Sequence, residues 1–318
     1  MELKTEKAYD KALAVIALMG LSSFLLLSFS TGVFVPEAMY GGLAFIAITF
    51  VGYFFINALL SEQDPALIIL ACFLSELGII MLYRINPEVF YKQILWFGLG
   101  IFVFMASSVI TRFWIEININ PLFLFAATAL LLLSPLVVGV ERGGSKSWIE
   151  FTSFSFQPSE LAKITFSLFM ARTLEEGKIK NLWGLLAEFT VILGLLAAAR
   201  DLGGAMLFYT TALALIFAAT SRWDVIIPGA VVGGLAATLG YFAFGHVKIR
   251  VESWLNPWQD VPGTGYQIVQ SLLAMASGGY FGTGLGLGRP DFIPAVTTDF
   301  IFSAFFEEFG FLGAVAVI

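Results

Sequence analysis

Asp299, in Thr297-Thr298-Asp299-Phe300-Ile301-Phe302, is a carboxylate that opens an apolar run. Two roles suit such a residue. It can cap the N-terminus of a helix, where negative charge is stabilised. It can also take a proton as a general base at the mouth of a cavity. Glu160 and Lys163 are three residues apart in Phe156-Gln157-Pro158-Ser159-Glu160-Leu161-Ala162-Lys163, so on a helix they share a face and can pair. An ionised group within a bilayer costs about 2.5–3.5 kcal/mol at mid-helix and less near an end. The pair is therefore either a structural ion pair at a helix start, capped by Ser159 or Gln157 with Pro158 in the first turn, or the wall of a charged, water-filled cavity.

Glu307 and Glu308 follow Asp299 deeper in the same run. Adjacent carboxylates there need partners, and Lys163 or Arg250 are candidates. Glu76 and Glu188 stand alone in apolar runs and read as packed, hydrogen-bonded or neutral side chains rather than catalysts. His246, Lys248 and Arg250 alternate, so an extended segment would point all three to one side. They are either interfacial anchors beside lipid headgroups or a clamp for a pyrophosphate, which Arg grips bidentately. The glycine-rich stretch 278–288 fails the G-x-G-x-x-G spacing and lacks the Lys-Ser/Thr of a P-loop. It reads as turns or a close backbone approach, not a nucleotide site. Before it, Tyr266, Val269, Leu272, Leu273 and Ala276 recur at helical spacing, with Gln267, Gln270 and Ser271 opposite. That pattern predicts a helix lying in a membrane interface.

The elements that carry these residues are set by composition. Of 318 residues, 58% are hydrophobic and 13% charged, with mean hydropathy +0.88, whereas soluble domains carry about 25% charged residues. A bilayer core of about 30 Å needs roughly 20 apolar residues per helix. Apolar runs recur at about 12–34, 41–60, 66–83, 94–111, 121–140, 160–174, 182–199, 203–220, 225–245 and 300–318. Backbone in lipid must satisfy itself, so these are helices. The fold expected is an all-α polytopic membrane helical bundle of about ten transmembrane helices with a long extracellular loop. The 33 Phe suit lipid-facing surfaces. The run after Lys4, Lys7 and Lys11 is too long for a signal peptide and reads as an uncleaved first helix. The last run stops at Ile318 without a polar flank, which suggests a fragment.

Other chemistries drop out. The single cysteine, Cys72, and single histidine, His246, exclude an intramolecular disulfide and a Cys/His zinc cluster. The net charge of −6 argues against nucleic acid. The two long connections, 141–159 and 246–298, are where function concentrates. With the N-terminus inside, both lie outside. On that topology Lys4, Lys7, Lys11, Arg112, Arg172, Lys178, Lys180 and Arg222 are inner. Arg84, Lys92, Arg142, Lys146, Arg200, Lys248, Arg250 and Arg289 are outer. An even split departs from the positive-inside rule. Either the topology is inverted, or the outer basic residues serve an anionic ligand.

Taken in order, several stretches resemble the SEDS family, the RodA and FtsW proteins of bacterial wall synthesis. They are Gly144-Ser145-Lys146-Ser147-Trp148-Ile149, Gln157-Pro158-Ser159-Glu160-Leu161-Ala162-Lys163, Asp201-Leu202-Gly203, and Arg250 with Leu255-Asn256-Pro257. After these come Gly265-Tyr266-Gln267, Gln270-Ser271, Gly278-Gly279, Gly282-Thr283-Gly284, Thr298-Asp299-Phe300-Ile301-Phe302 and Glu307-Glu308-Phe309-Gly310. The resemblance runs from about Asp64 to the end. It implies an inverting glycosyltransferase that polymerises lipid II, an undecaprenyl-pyrophosphate-linked disaccharide peptide, into glycan strands at the outer face of the cytoplasmic (inner) membrane. The chain would be multi-pass with its N-terminus cytoplasmic. Asp299 matches the family's essential aspartate, and Glu160 and Lys163 would line the same cavity. Lys146, Arg250, Gln270 and Glu307 join them as substrate-binding candidates, with Arg250 assigned to pyrophosphate by its charge. A divalent cation (Mg or Mn), a class B penicillin-binding protein and membrane lipid are the implied partners.

The resemblance also implies boundaries: an extra transmembrane hairpin over 1–62, and a polymerase core over 63–318 without the family's last two helices. Ser147 stands where the family often has Arg, and Ala199-Arg200 where Gln-Pro is usual. The wording from Gly284 to Pro294 and the extra hairpin lean toward the RodA type, cell elongation and shape, with a division role as in FtsW open. Two competing functions are a lipid II flippase, which would also use intramembrane charge, and a non-catalytic scaffold. The charges cluster toward the outer face, which favours chemistry there.

Overall fold

A computed structural model describes residues 2–29, 32, 34–59, 65–114, 119–152, 155–175 and 182–318. Asp64, Lys178 and Lys180 lie outside the described residues, as do the side chains of Lys4, Lys7 and Arg112. The described residues hold twelve α-helices: α1 (Glu2–Ser28), α2 (Pro36–Leu59), α3 (Ala66–Ile85), α4 (Pro87–Trp114), α5 (Pro121–Val138), α6 (Pro158–Thr173), α7 (Leu182–Ala198), α8 (Leu202–Thr220), α9 (Trp223–Ala243), α10 (Gly245–Leu255), α11 (Tyr266–Gly278) and α12 (Ile301–Val317). Seven contain segments long and apolar enough to cross a membrane: Tyr9–Ser28, Pro36–Ala58, Ala66–Ile85, Pro87–Thr111, Pro121–Val138, Leu202–Thr220 and Trp223–Ala243. The apolar runs at 160–174, 182–199 and 300–318 also fold as helices, of 16, 17 and 17 residues. The chain is a polytopic α-helical membrane protein.

Helix starts follow local chemistry. The Asn86 side chain accepts the Glu88 and Val89 N–H groups at the start of α4, and that of Asn120 accepts Leu122 N–H ahead of Pro121. Asp201 accepts Gly204 N–H at 2.9 Å to open α8. These bonds satisfy amides that a helix N-terminus leaves free. At α6 neither expected cap forms: Gln157 makes no side-chain cap bond, and Ser159 is buried in the first turn.

The helices form two compact units. In the first, made of Met1–Glu116 and Ser253–Ile318, α3 packs against α1, α2, α4 and α12, and α11 packs on α12. Phe24, Phe45, Phe90, Ile79 and Ile80 form one core, and Leu13, Ile16, Tyr53, Ile56 and Cys72 another. In the second, Ile117–Glu252, α5 packs on α6 and α7, and α8 on α6, α7 and α9. Phe166, Phe169, Met170, Ile192 and Phe208 fill its centre. Phenylalanine thus serves both environments. Phe54 and Phe242 face outward at 60% and 76% exposure, while six others count among the largest fully buried side chains.

Glu76 sits mid-way along α3, fully buried, with neither carboxyl oxygen hydrogen-bonded. Gly20 on α1 makes room for it: a Cβ there would lie 2.2 Å from Glu76 Oε1. A buried polar group without a partner costs about 1–3 kcal/mol. Glu76→Met, of similar length, is therefore expected to raise stability by up to that amount, seen as an upward shift in thermal unfolding in detergent. A lower melting temperature would show that the carboxyl has a partner in the folded membrane protein.

Two departures from the sequence reading concern the long connections. The first holds a three-stranded antiparallel sheet, β1 (Val140–Arg142), β2 (Ser145–Glu150) and β3 (Ser155–Phe156), in that order. Val140 pairs with Trp148 and Ile149 with Phe156, and Gly143 and Gly144 turn the first hairpin at φ 59° and 86°. The second holds α10 where an extended segment was expected. On a helix His246 and Arg250 share a face, while Lys248 lies on the other side. Lys248 Nζ instead approaches Glu252 Oε1 at 3.7 Å, one turn on.

Candidate functional site

In the first unit the candidate residues sit on α11, the glycine-rich segment, a turn-rich stretch and α12. Asp299 is exposed and lies before α12, not in it. It does not cap the helix either: Phe300 occupies the N-cap position, without a side-chain bond. Its loop is closed by the carbonyl of Ala295, which accepts Thr298 N–H (3.1 Å), Thr298 Oγ1–H (3.2 Å) and Phe300 N–H (3.3 Å). Ala295 itself adopts φ 52°, a conformation costing an L-residue about 1–2 kcal/mol. Three converging donors hold that strain in place. Asp299 and Glu307 are thus not on one continuous helix.

The centre of this unit is a break in α12. Gly310 has φ 70° and ψ −175°, so the helical hydrogen-bond ladder stops there. The glycine-rich segment replaces it. Thr283 N–H donates to Glu307 O (2.9 Å) and Gly284 N–H to Glu308 O (3.0 Å). Beyond the break, Phe311 N–H donates to Gly279 O and Leu312 N–H to Tyr280 O. Only glycine allows this approach: a Cβ on Gly282 would lie 2.1 Å from Glu308 O, and one on Gly310 2.2 Å from Gly282 N. The expected close backbone approach is therefore real, and its target is α12.

Both glutamates of α12 are buried against that segment. Glu307 Oε1 accepts Arg289 N–H at 3.0 Å and Ser277 Oγ–H at 3.4 Å. Glu308 Oε2 accepts Gly286 N–H at 2.9 Å. The cation beside Glu308 is Arg84 of α3, with Nε 3.3 Å from Oε1, in place of the expected Lys163 or Arg250. The N–H is not aligned for a hydrogen bond there, so the attraction is coulombic. Arg84 Nη2 instead donates to Gly288 O at 3.1 Å. Sequence reading counted Arg84 only as an outer basic residue. The available signal was a basic residue ending an apolar run in a chain whose glutamate pair lacked a neighbour of opposite charge. Gln270 is half-buried on α11, and the next residue, Ser271, joins Ser303 of α12 at 2.5 Å. Gln270 and Ser271 of the polar side thus turn toward protein while Gln267 is exposed, and on the apolar side Val269 is buried while Leu272 and Leu273 are exposed.

In the second unit Glu160 and Lys163 do pair, at 2.8 and 2.9 Å, with side chains 59% and 35% exposed. An ion pair this open contributes about 0–1 kcal/mol. Lys163→Met is accordingly expected to change stability by less than about 1 kcal/mol in thermal unfolding. If it also lowers activity at unchanged stability, its role lies in substrate contact. Lys146 Nζ donates to Leu136 O at 2.8 Å, placing a cation at the C-terminal turn of α5, where the helix dipole favours one. Arg250 is exposed on α10. Arg142 lies 5.2 Å from the Trp148 ring centroid and bonds Glu150, a contact that sequence reading did not single out. Asp299, Gln270 and Glu307 thus belong to one unit, and Glu160, Lys163, Lys146 and Arg250 to the other.

Among the described residues no three His, Cys, Asp or Glu side chains gather as a metal site. The described residues do not form a protein cage for a divalent cation.

Fold and site together define a polytopic helical membrane protein with an exposed aspartate loop beside a glycine-braced broken helix. Residues 65–318 match the cell cycle protein family FtsW/RodA/SpoVE, and the chain belongs to that family. The peptidoglycan glycosyltransferase RodA of Mycobacterium tuberculosis strain H37Rv is 34% identical over 314 residues, covering 87% of this chain and 66% of that relative. This chain thus spans just under two thirds of the length of that relative. Among solved structures, a chain from a peptidoglycan synthase complex, described in terms of coordinated polymerization and crosslinking, aligns with TM-score 0.59 at 26% identity over 80% of this chain and 73% of its own. A mutant of the Thermus thermophilus rod shape determining protein RodA aligns with TM-score 0.53 at 25% identity, over 80% and 70%.

Proposed function

We propose that this protein polymerises lipid II into glycan strands, with Asp299 as the general base. The observation that carries the reading is the Asp299 loop: an exposed carboxylate, braced by the Ala295 carbonyl, directly ahead of an apolar helix. Its position suits a substrate with a sugar in water and a polyprenyl chain in lipid. Asp299 takes the proton of an acceptor sugar hydroxyl. The oxygen attacks the anomeric carbon of the donor disaccharide, that carbon's bond to pyrophosphate breaks, and undecaprenyl pyrophosphate leaves with inversion. Arg250, Lys146 and the Glu160–Lys163 pair are the groups we assign to the headgroup and its phosphates. A divalent cation brought with the substrate would offset the charge of the leaving pyrophosphate.

The wider assignment is part of the same proposal. The protein lies in the cytoplasmic membrane with its N-terminus inside. Residues 1–62 are a hairpin added to the family core, a reading supported by a family match that begins at residue 65. A class B penicillin-binding protein is the partner, supported by the likeness to a peptidoglycan synthase complex. The test is polymerisation of purified lipid II by the full-length protein in detergent, with and without that partner. Strands seen by gel, with release of undecaprenyl pyrophosphate, are expected. Transbilayer movement of lipid II in vesicles without strand formation would overturn the reading.

A further inference from the structure

We propose that Arg84 is a positioning residue, which from α3 fastens the glycine-rich segment to α12 and thereby sets where the Asp299 carboxylate stands. The inference rests on the general-base reading of Asp299. Arg84 touches two chain segments at once, the Glu308 carboxylate on α12 and the Gly288 carbonyl at the end of the glycine-rich segment. Glu308 in turn receives Gly286 N–H, so one guanidinium and one carboxylate close a ring over the segment's last turn. From Gly288 only eleven residues lead to Asp299 (299 − 288). That stretch is itself anchored: Pro290 and Ile293 are buried, Arg289 N–H is held by Glu307, and Ala295 closes the final turn. A shift at Gly288 therefore has little slack in which to dissipate before it reaches Asp299.

The residue type fits the task. A planar guanidinium addresses two acceptors in different directions, whereas an ammonium is a compact point charge. The competing view is a buried ion pair that serves only the fold, although such a pair is weak evidence for stability. The two views separate in kinetics. Misplacement of a reacting group by about 1 Å can cost a hundredfold in rate, and it lowers kcat while leaving binding alone.

Full-length protein carrying Arg84→Ala, Arg84→Lys, Glu308→Gln or the swap Arg84→Glu/Glu308→Arg is assayed for lipid II polymerisation and melting temperature. Arg84→Ala is expected to lower kcat about ten- to a hundredfold with KM changed less than about twofold. Arg84→Lys and the swap recover part of that loss. Should Arg84→Ala not fold, the lysine and Glu308→Gln variants carry the same comparison. An activity-independent arm uses spin labels at Lys92 on α4 and Thr297, with buried Cys72 left unlabelled. The distance distribution is expected to broaden in Arg84→Ala and to narrow again in Arg84→Lys. Unchanged kcat per folded molecule, or an unchanged distribution, overturns the proposal. If wild-type protein makes no strands, the polymerase reading fails, and the spin-label arm alone decides the role of Arg84.

Discussion

Asp299→Ala and Asp299→Asn are each expected to lower lipid II polymerisation by about 10²- to 10⁴-fold, the range a positioned general base supplies. Asparagine keeps the size and polarity of the side chain but does not accept the proton, so it should be nearly as inactive as alanine. The loss should be chemical rather than structural. Asp299 is exposed and caps no helix, and its loop is closed by Ala295 and Thr298 through groups that neither variant removes. Melting temperature and lipid II affinity are therefore expected to stay close to wild type while strand formation and undecaprenyl pyrophosphate release vanish. A flippase or a scaffold would tolerate both changes. More than about a tenth of wild-type polymerisation in the asparagine variant would remove Asp299 from the mechanism.

Gly282→Ala should act through the fold. The added Cβ would meet Glu308 O at 2.1 Å, on backbone that is already hydrogen-bonded, and φ there is 80°. Relief requires the segment to retreat from α12, which gives up the Thr283 and Gly284 bonds to its carbonyls. The left-handed conformation costs about 1–2 kcal/mol and each lost bond about 1 kcal/mol, more if its partner stays buried and unpaired. A total above about 4 kcal/mol belongs to the severe class of substitutions, large enough to lose monodisperse protein in detergent. Gly284→Ala is the control. Its φ of 100° carries the same strain, but its Cβ would meet only the Leu287 side chain, at 3.2 Å, so a cost near 1–2 kcal/mol is expected. Equal size-exclusion and thermal profiles for the two variants would argue against the close approach.

The contrast shows what a sequence discloses. The apolar runs could be read because the bilayer imposes length and composition on each helix separately, with no need to know its neighbours. The Glu160–Lys163 pair was legible for the same reason: it is a local, three-residue relationship. Arg84 and Glu308 were not, since 224 positions separate them (308 − 84) and their meeting depends on how α3 packs against α12. The segment His246-Val247-Lys248-Ile249-Arg250 misled through its alternation of polar and β-branched residues. In the structure it belongs to an eleven-residue helix that stops before Asn256-Pro257. Gly143-Gly144 between two short runs was a readable hairpin signal, masked by the expectation of helices alone.

The break in α12 also bears on how the chain is made. Its interrupted ladder leaves carbonyls and amides that hydrocarbon does not satisfy, and residues 279–284 supply what they lack. Those residues leave the ribosome first. Forming this region is thus a joint event, since the loop and α12 complete each other's hydrogen bonds.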